Sequence, residues 1–279
     1  MKNKFVAVLI CLLFNAVCFS QTKKENGFSF GSGFVQTMNT ASLYSGLRGI
    51  NTSFDYQYFK QAKKYEKSFW SIFADLDFDF LLTNEPPYMR GTYPNFYRGE
   101  LSFGSAWFWQ LPCFLKNLNL YAGAGLSFNS EINFSANNQE DNYSYIRAYN
   151  FPDLNWFFSP DLQIRAEYNL KKLSFKSEFV LPAAMVGNYF NQFHYLPVSM
   201  SENTIAKYKF TPNTFTFLHK IFRPTIKLSA EFPLKKSYSN AKQWYFQIKY
   251  MFENTDVKLK YYREKKEQHS IRLGFVCKM

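Results

Sequence analysis

The chain has 279 residues, of which 21% are aromatic and 19% are charged, and a formal net charge of +12 at pH 7. This length accommodates one large all-β domain or two small ones. The basic residues are spread along the chain instead of forming one dense run, which excludes nucleic acid from our expected partners. We expect anionic lipid headgroups or sugars to contact part of this charge.

The first twenty residues have the pattern of a secretory signal peptide. Lys2 and Lys4 precede an apolar stretch at 5–14, and the small side chains of Cys18 and Ser20 allow cleavage directly after Ser20. The apolar stretch is too short to cross a bilayer as a helix, which needs roughly 20 apolar residues. Lipid attachment at Cys18 is an alternative, although the residue before it is bulkier than lipoprotein cleavage usually accepts.

Cysteine chemistry contributes little to the expected fold. Cys11 and Cys18 leave with the signal peptide, so only Cys113 and Cys277 remain. Two cysteines are too few for a disulfide framework, and no paired Cys/His spacing fits zinc. The glycines do not open a helix, so a phosphate-binding loop lacks its structural context. We therefore expect neither a metal nor another cofactor.

Alternation of apolar and polar residues recurs along the mature chain and predicts β-strands. Between Trp70 and Phe80, apolar side chains alternate with Asp75, Asp77 and Asp79. A strand places two such sets on opposite faces. The ten clear copies are 50–58, 70–80, 101–109, 118–128, 162–168, 173–181, 226–232, 244–252, 257–261 and 271–277. Weaker copies at 28–35 and 215–218 bring the expected number of strands to about twelve, and ten or fourteen also fit.

The connections favour a membrane barrel, apolar on its outside, over a soluble sandwich with an apolar interior. If the first strand runs outward from the periplasm, the long segments all fall on the external side. These segments are 38–48, 83–96, 132–155 and 183–206. Tight links such as Glu253 to Asp256 then fall on the periplasmic side. We expect a signal peptide at 1–20 and, at 21–279, a single transmembrane antiparallel up-and-down β-barrel in the outer membrane, with both termini periplasmic.

Aromatic residues give an independent reason to prefer the membrane. Amphipathic indole rings favour the headgroup level, and membrane barrels carry aromatic girdles at both interfaces. Four tryptophans fall at or near the ends of predicted strands and form our expected girdle: Trp70, Trp109, Trp156 and Trp244.

With these features the chain resembles the outer-membrane β-barrel proteins common in Bacteroidetes. The resemblance is carried by the Phe-Ser-Gln end of the signal, the composition rich in Asn, Lys, Phe and Tyr, and the alternating strands. It covers nearly the whole mature chain and is architectural, since no family-defining motif accompanies it. The last strand departs from such barrels because it ends on Lys278 and Met279, where an aromatic residue is common.

Charged residues expected to face the lumen are distributed unevenly around the barrel. Acidic residues come from early strands, at Asp55, Asp75, Asp77, Asp79 and Glu100. Basic residues come from late strands, at Lys227, Lys249, Lys258, Lys260 and Arg272. Such charges could create a transverse field across a narrow water-filled passage. They could equally close a narrow barrel with salt bridges.

Two functions of different classes remain open from the sequence. The first is a narrow passive channel for small polar solutes. The second is a non-transporting structural or accessory barrel that presents its long loops to a protein partner, glycan or lipid, for which loop aromatics such as Tyr143, Tyr145 and Tyr189 are suited. A lipid hydrolase is a weaker alternative, because adjacent His269 and Ser270 point to opposite faces of a strand. We therefore expect no enzyme activity and no catalytic residues.

Overall fold

The computed structural model describes eleven stretches of the chain, interrupted by segments that lie outside the described residues, as does the predicted signal peptide. The described stretches are 24–39, 47–61, 67–83, 95–113, 115–136, 153–170, 173–190, 210–218, 220–234, 242–258 and 263–279. No helix in these stretches is long and apolar enough to cross a membrane.

In the described stretches, thirteen strands make up one sheet. They are β1 (Lys24–Asn39), β2 (Leu47–Gln61), β3 (Ser68–Thr83), β4 (Asn95–Leu111), β5 (Leu118–Ala136), β6 (Asp153–Leu170), β7 (Leu173–Pro182), β8 (Ala184–Phe190), β9 (Phe210–Phe217), β10 (Ile221–Phe222), β11 (Thr225–Pro233), β12 (Gln243–Lys258) and β13 (Arg263–Lys278).

The sheet closes on itself as an antiparallel barrel. Neighbours in sequence pair with each other from β1 to β7, then β7 pairs with β11, and β11, β12 and β13 follow in order. The ladder between β13 and β1 runs from Glu25 opposite Lys278 to Asn39 opposite Glu264 and closes the ring. Ten strands form the ring and three are extra. The predicted up-and-down barrel is therefore confirmed, with one of the strand numbers that the sequence allowed.

The three extra strands continue ring strands past local irregularities. β7 and β8 both pair with β6, and the shift between them falls at Ala183, whose amide donates to Pro160 at 2.8 Å. β10 and β11 both pair with β12. The predicted strand at 215–218 falls at the end of β9, which pairs with β8 and adds no further strand to the ring.

One predicted turn is wrong. Glu253 to Asp256 lie inside β12, where they pair with Gln268 to Lys265 of β13. Asn254 and Asp256 are turn-forming residue types, but the long ladder with β13 satisfies their backbone groups and outweighs this local preference. The predicted strand at 257–261 is consequently the end of β12, and its residues after Lys258 lie outside the described stretches.

The barrel has two different ends. One end, here called the loop end, is where the chain connects strands through residues 40–46, 84–94, 137–152, 191–209 and 259–262. The opposite end, the turn end, has connections at 62–67, 112–117, 171–172 and 234–242. Both ends of the barrel domain meet at the turn end, where Lys24 and Met279 exchange backbone hydrogen bonds of 2.8 and 2.9 Å. All four long segments predicted for one side contribute to the loop end. Some residues of each predicted segment belong to the flanking strands instead of the connection.

The two faces of the sheet have opposite character. Large apolar side chains project outward and are exposed, including Phe30, Ile50, Leu126 and Ile271. The side chains between them point inward and are mostly polar and buried. A water-soluble protein rarely exposes so large an apolar surface, whereas a bilayer requires one. The fold is that of a transmembrane β-barrel.

Two leucines with the same exposure separate lipid contact from water contact. Leu126, in the middle of β5, and Leu115, in the connection before it, are both 67% exposed. Leu126→Arg should lower the free energy of unfolding by about 2–4 kcal/mol, as expected for a basic residue near the middle of the bilayer. Leu115→Arg should change it by less than about 0.5 kcal/mol. Urea unfolding in lipid vesicles measures both, and equal costs would contradict the membrane assignment of this face.

Candidate functional site

The lumen is the candidate site because its buried side chains are charged. At its centre Arg272 of β13 is completely buried. Its guanidinium forms ion pairs with Asp75 at 2.7 Å, Asp77 at 3.2 Å and Asp55 at 3.3 Å. The planar guanidinium, with five N–H donors, is suited to holding several carboxylates at once.

Small residues on β1 make room for this arginine. A Cβ atom on Gly31 would lie 2.6 Å from the Cα of Arg272 and 2.8 Å from its Cγ. Such contacts are too short for carbon atoms, so glycine permits the close approach of β1 and β13 beneath the guanidinium. On the neighbouring strands Asn51 and Gln268 each donate to Asp77 at 3.2 Å, which orients this carboxylate.

Ion pairs also span the full width of the lumen. β3 and β11 lie on opposite sides of the ring, five strands apart in either direction. Lys227 of β11 nevertheless reaches Asp75 of β3, with an Nζ–Oδ2 distance of 3.0 Å. On the strands next to these two, Lys249 of β12 pairs with Asp55 of β2. The two walls are thus close enough for one pair of side chains to bridge them.

A second set of ion pairs spans the lumen nearer the loop end. Arg223, between β10 and β11, pairs with Glu100 on the far wall and with Glu253 of β12 at 3.0 Å. Lys266 of β13 pairs with the same two carboxylates, at 2.6 and 3.1 Å. Sharing of this kind leaves neither glutamate as an isolated buried charge, which would be costly.

The turn end of the lumen is filled by an aromatic cluster and further ion pairs. The rings of Phe69 and Phe108 are stacked, with centroids 4.7 Å apart. The guanidinium of Arg165 lies 4.0 Å from the centroid of Phe59, a distance at which cation–π attraction operates. Opposite this cluster, Lys176 pairs with Glu25 at 2.7 Å.

Small cavities remain between these layers. One, of about 60 Å³, lies above Lys227 and Glu178 on the loop side, and another, of about 20 Å³, lies below the same two residues. A cavity of the larger size holds only a few water molecules. Lys227 and Glu178 line both cavities and therefore separate them.

Most of the charged residues predicted for the lumen lie there together. The buried ones are Asp55, Asp75, Asp77, Asp79, Glu100, Lys227, Lys249 and Arg272. Lys258 is an exception that corrects the prediction: its side chain is 59% exposed and pairs with Asp256. Because β12 continues without a turn, Lys258 takes the outward face of that strand. Lys260 lies outside the described residues.

Sequence reasoning missed four of the cations that face the lumen. Arg165 and Lys176 lie on predicted strands, and their inward position could have been found by extending the alternation along β6 and β7. Arg223 falls between two predicted strands, and Lys266 falls in a segment that resembles a solvated turn. For these two residues, only the pairing of β10, β11 and β13 with β12 shows that the side chains face the lumen.

The tryptophans of the expected girdle lie near strand ends. Trp70, Trp109 and Trp244 are at the turn end, on β3, β4 and β12. Trp156 is at the loop end of β6. Trp109 and Trp244 are the two that project an exposed ring outward.

Among the described residues, His269 is not paired with a serine nucleophile. His269 points outward, and its ring contacts Tyr250 at 2.7 Å and Glu267 at 3.0 Å. Ser270 is buried on the lumen side. His194 and His219 lie outside the described residues, and the described residues contain no group of three or more potential metal ligands.

No protein-family model and no curated protein matches the chain. Among solved structures, the chain is similar to the translocator domain of autotransporter NalP from Neisseria meningitidis, with 7% identity, a TM-score of 0.39, and coverage of 99% of this chain and 95% of that chain. It is similar to the toluene transporter TodX from Pseudomonas putida, with 7% identity, a TM-score of 0.28, and coverage of 92% and 90%. It is similar to the outer membrane protein OprD from Pseudomonas aeruginosa, with 7% identity, a TM-score of 0.25, and coverage of 92% and 94%. Likeness at this level carries no argument about activity.

The central arginine should be essential to barrel stability. Arg272→Met removes the cation shared by three buried aspartates and should lower the free energy of unfolding by about 3–5 kcal/mol. Arg48→Met changes an exposed arginine on β2 and should stay within about 0.5 kcal/mol of wild type. Denaturant unfolding in the same lipid compares the two variants. Equal stability of Arg272→Met and wild type would mean that the aspartates do not depend on this ion pair.

Proposed function

We propose that this chain is an outer-membrane barrel with a closed lumen, which acts as a structural or accessory protein and presents its long loops outside the cell. A closed lumen favours the second of the two functions that the sequence leaves open, and we propose no enzyme activity. A Bacteroidetes origin stays a prediction from composition and signal sequence alone.

The observation that supports a closed lumen is the set of ion pairs across opposite walls. The Lys227–Asp75 pair crosses the middle of the barrel at 3.0 Å. The pair of Arg223 with Glu100 crosses it nearer the loop end. A solute on its way through would have to separate these buried charges, and each separation leaves charges without partners in a poorly hydrated interior. Water-filled channels are typical of barrels with more strands than ten.

The long connections support a role at the loop end. Residues 137–152 and 191–209 include many aromatic side chains: Tyr143, Tyr145, Tyr149, Phe151, Phe193, Tyr195 and Tyr208. Aromatic side chains provide much contact area at little entropic cost and are common in binding surfaces. With the lumen closed, these connections are the part of the chain best suited to meet a partner, glycan or lipid.

Conductance measurements test the closed lumen. Wild-type protein in planar bilayers should show no steady conductance. Lys176→Ala, Arg223→Ala and Lys227→Ala together remove cations that reach across the lumen and should open a conductance that prefers cations, because the carboxylates remain. The matched triple variant Lys67→Ala, Lys116→Ala and Lys242→Ala, at exposed positions, should stay silent.

The wild type alone can decide the question if the lumen variant does not fold, which a shift on unboiled gels would reveal. A steady wild-type conductance, with an ion preference that moves toward anions in Asp75→Asn, Asp77→Asn and Asp79→Asn, would establish the channel and overturn the closed barrel.

Orientation is tested by labelling cysteines in intact cells. In a background without Cys113 and Cys277, Ser144→Cys in the connection 137–152 should react with a membrane-impermeant maleimide. Asn117→Cys at the turn end should react only after the outer membrane is opened. The reverse result would place the termini outside the cell and contradict the proposed orientation.

A further inference from the structure

The turn end of the barrel carries an excess of exposed lysines. Lys67, Lys116 and Lys242 are exposed at this end, and Lys24 and Lys60 lie on the adjoining strand ends. The acidic residues described nearby, such as Glu25 and Glu231, instead point into the lumen, where they are paired. The outer surface of this end is therefore positively charged.

The sequences of the connections show the same asymmetry. The four connections of the turn end contain nine lysines and one acidic residue, Glu66. The five connections of the loop end contain five basic and four acidic residues, which nearly cancel. Most of the net positive charge of the chain outside its signal peptide thus belongs to one end of the barrel.

The position of the lysines relative to the tryptophans places them at headgroup height. Trp70 and Trp109 lie two residues from the turn-end limits of β3 and β4, and Lys60 is the register partner of Trp70 on β2. Indole rings prefer the membrane interface. Lysines at the same height or just beyond can extend their ammonium groups toward lipid phosphates.

The spread of the lysines around the rim favours a lipid leaflet over a protein. Lys67 follows β2, Lys116 follows β4 and Lys242 precedes β12, which lies on the other side of the ring from β4. A membrane leaflet surrounds the entire rim, whereas a partner protein would contact one side of it.

We propose that the turn end of the barrel binds anionic phospholipid headgroups of the leaflet that surrounds it. This inference rests on the fold and on the placement of charge, and it holds whether the lumen is open or closed. The recognition is electrostatic: several ammonium groups around the rim enrich phosphatidylglycerol-type headgroups over zwitterionic ones, and salt weakens the enrichment.

Tryptophan quenching by brominated lipids tests the inference. The protein is placed in phosphatidylcholine vesicles that contain either brominated phosphatidylcholine or brominated phosphatidylglycerol. The wild type should favour phosphatidylglycerol several-fold at low salt, because a single lysine near an anionic surface contributes roughly fivefold. Lys67→Gln, Lys116→Gln and Lys242→Gln together should lower this preference measurably.

The control uses three exposed basic residues at the loop end. Arg48→Gln, Lys258→Gln and Lys265→Gln remove the same charge and should leave the preference at the wild-type value. Equal quenching by both lipids in the wild type would overturn the proposal, as would a preference lost only in the loop-end variant. Binding to peptidoglycan sacculi that the turn-end variant abolishes, without any preference for phosphatidylglycerol, would assign the lysines to the cell wall and also overturn it.

Discussion

The narrow bore of the ring is the constraint on which the rest of this structure depends. A sheet that crosses lipid must present apolar side chains outward, and the pleat then turns every second side chain inward. In a ring of ten strands the inward side chains of opposite walls meet, as Lys227 and Asp75 do at 3.0 Å. Any charge inside must therefore find a partner inside, and the lumen becomes a core of ion pairs.

This core also constrains the register of the sheet. A slip of one residue between two strands would move Asp75 and Asp77 from the lumen to the lipid face. Charges in lipid are costly, so the buried carboxylates disfavour every odd-numbered slip of β3. Arg272 adds a second constraint, because its contacts with Asp55 and Asp77 require β2, β3 and β13 to be aligned together. The ion pairs thereby contribute specificity even where their net stabilisation is small.

The sequence predicts the faces of this barrel better than its connections. Alternation around Asp75, Asp77 and Asp79 identifies the lumen side of β3 because charged residues cannot face lipid. It does not reveal that Glu253 to Asp256 continue a strand. That outcome depends on backbone hydrogen bonds to β13, whereas the residue types themselves favour a turn. The same limit applies to partners: Lys227 and Asp75 are separated by about half the chain, and only the closed ring brings them together.

With the lumen closed, as we propose, the barrel acts through its outer surfaces, and in this chain those surfaces differ. The outward face of the strands is apolar and contacts lipid. The loop end has nearly balanced charge and many aromatic residues, a composition suited to contacts with a partner. The turn end is basic around its rim, a composition suited to a charged leaflet. Because Lys67, Lys116 and Lys242 are exposed, their charge is not neutralised by the buried carboxylates of the lumen. The ion pairs inside the lumen and the lysines that surround its rim are therefore separate sets, and each can be changed without the other.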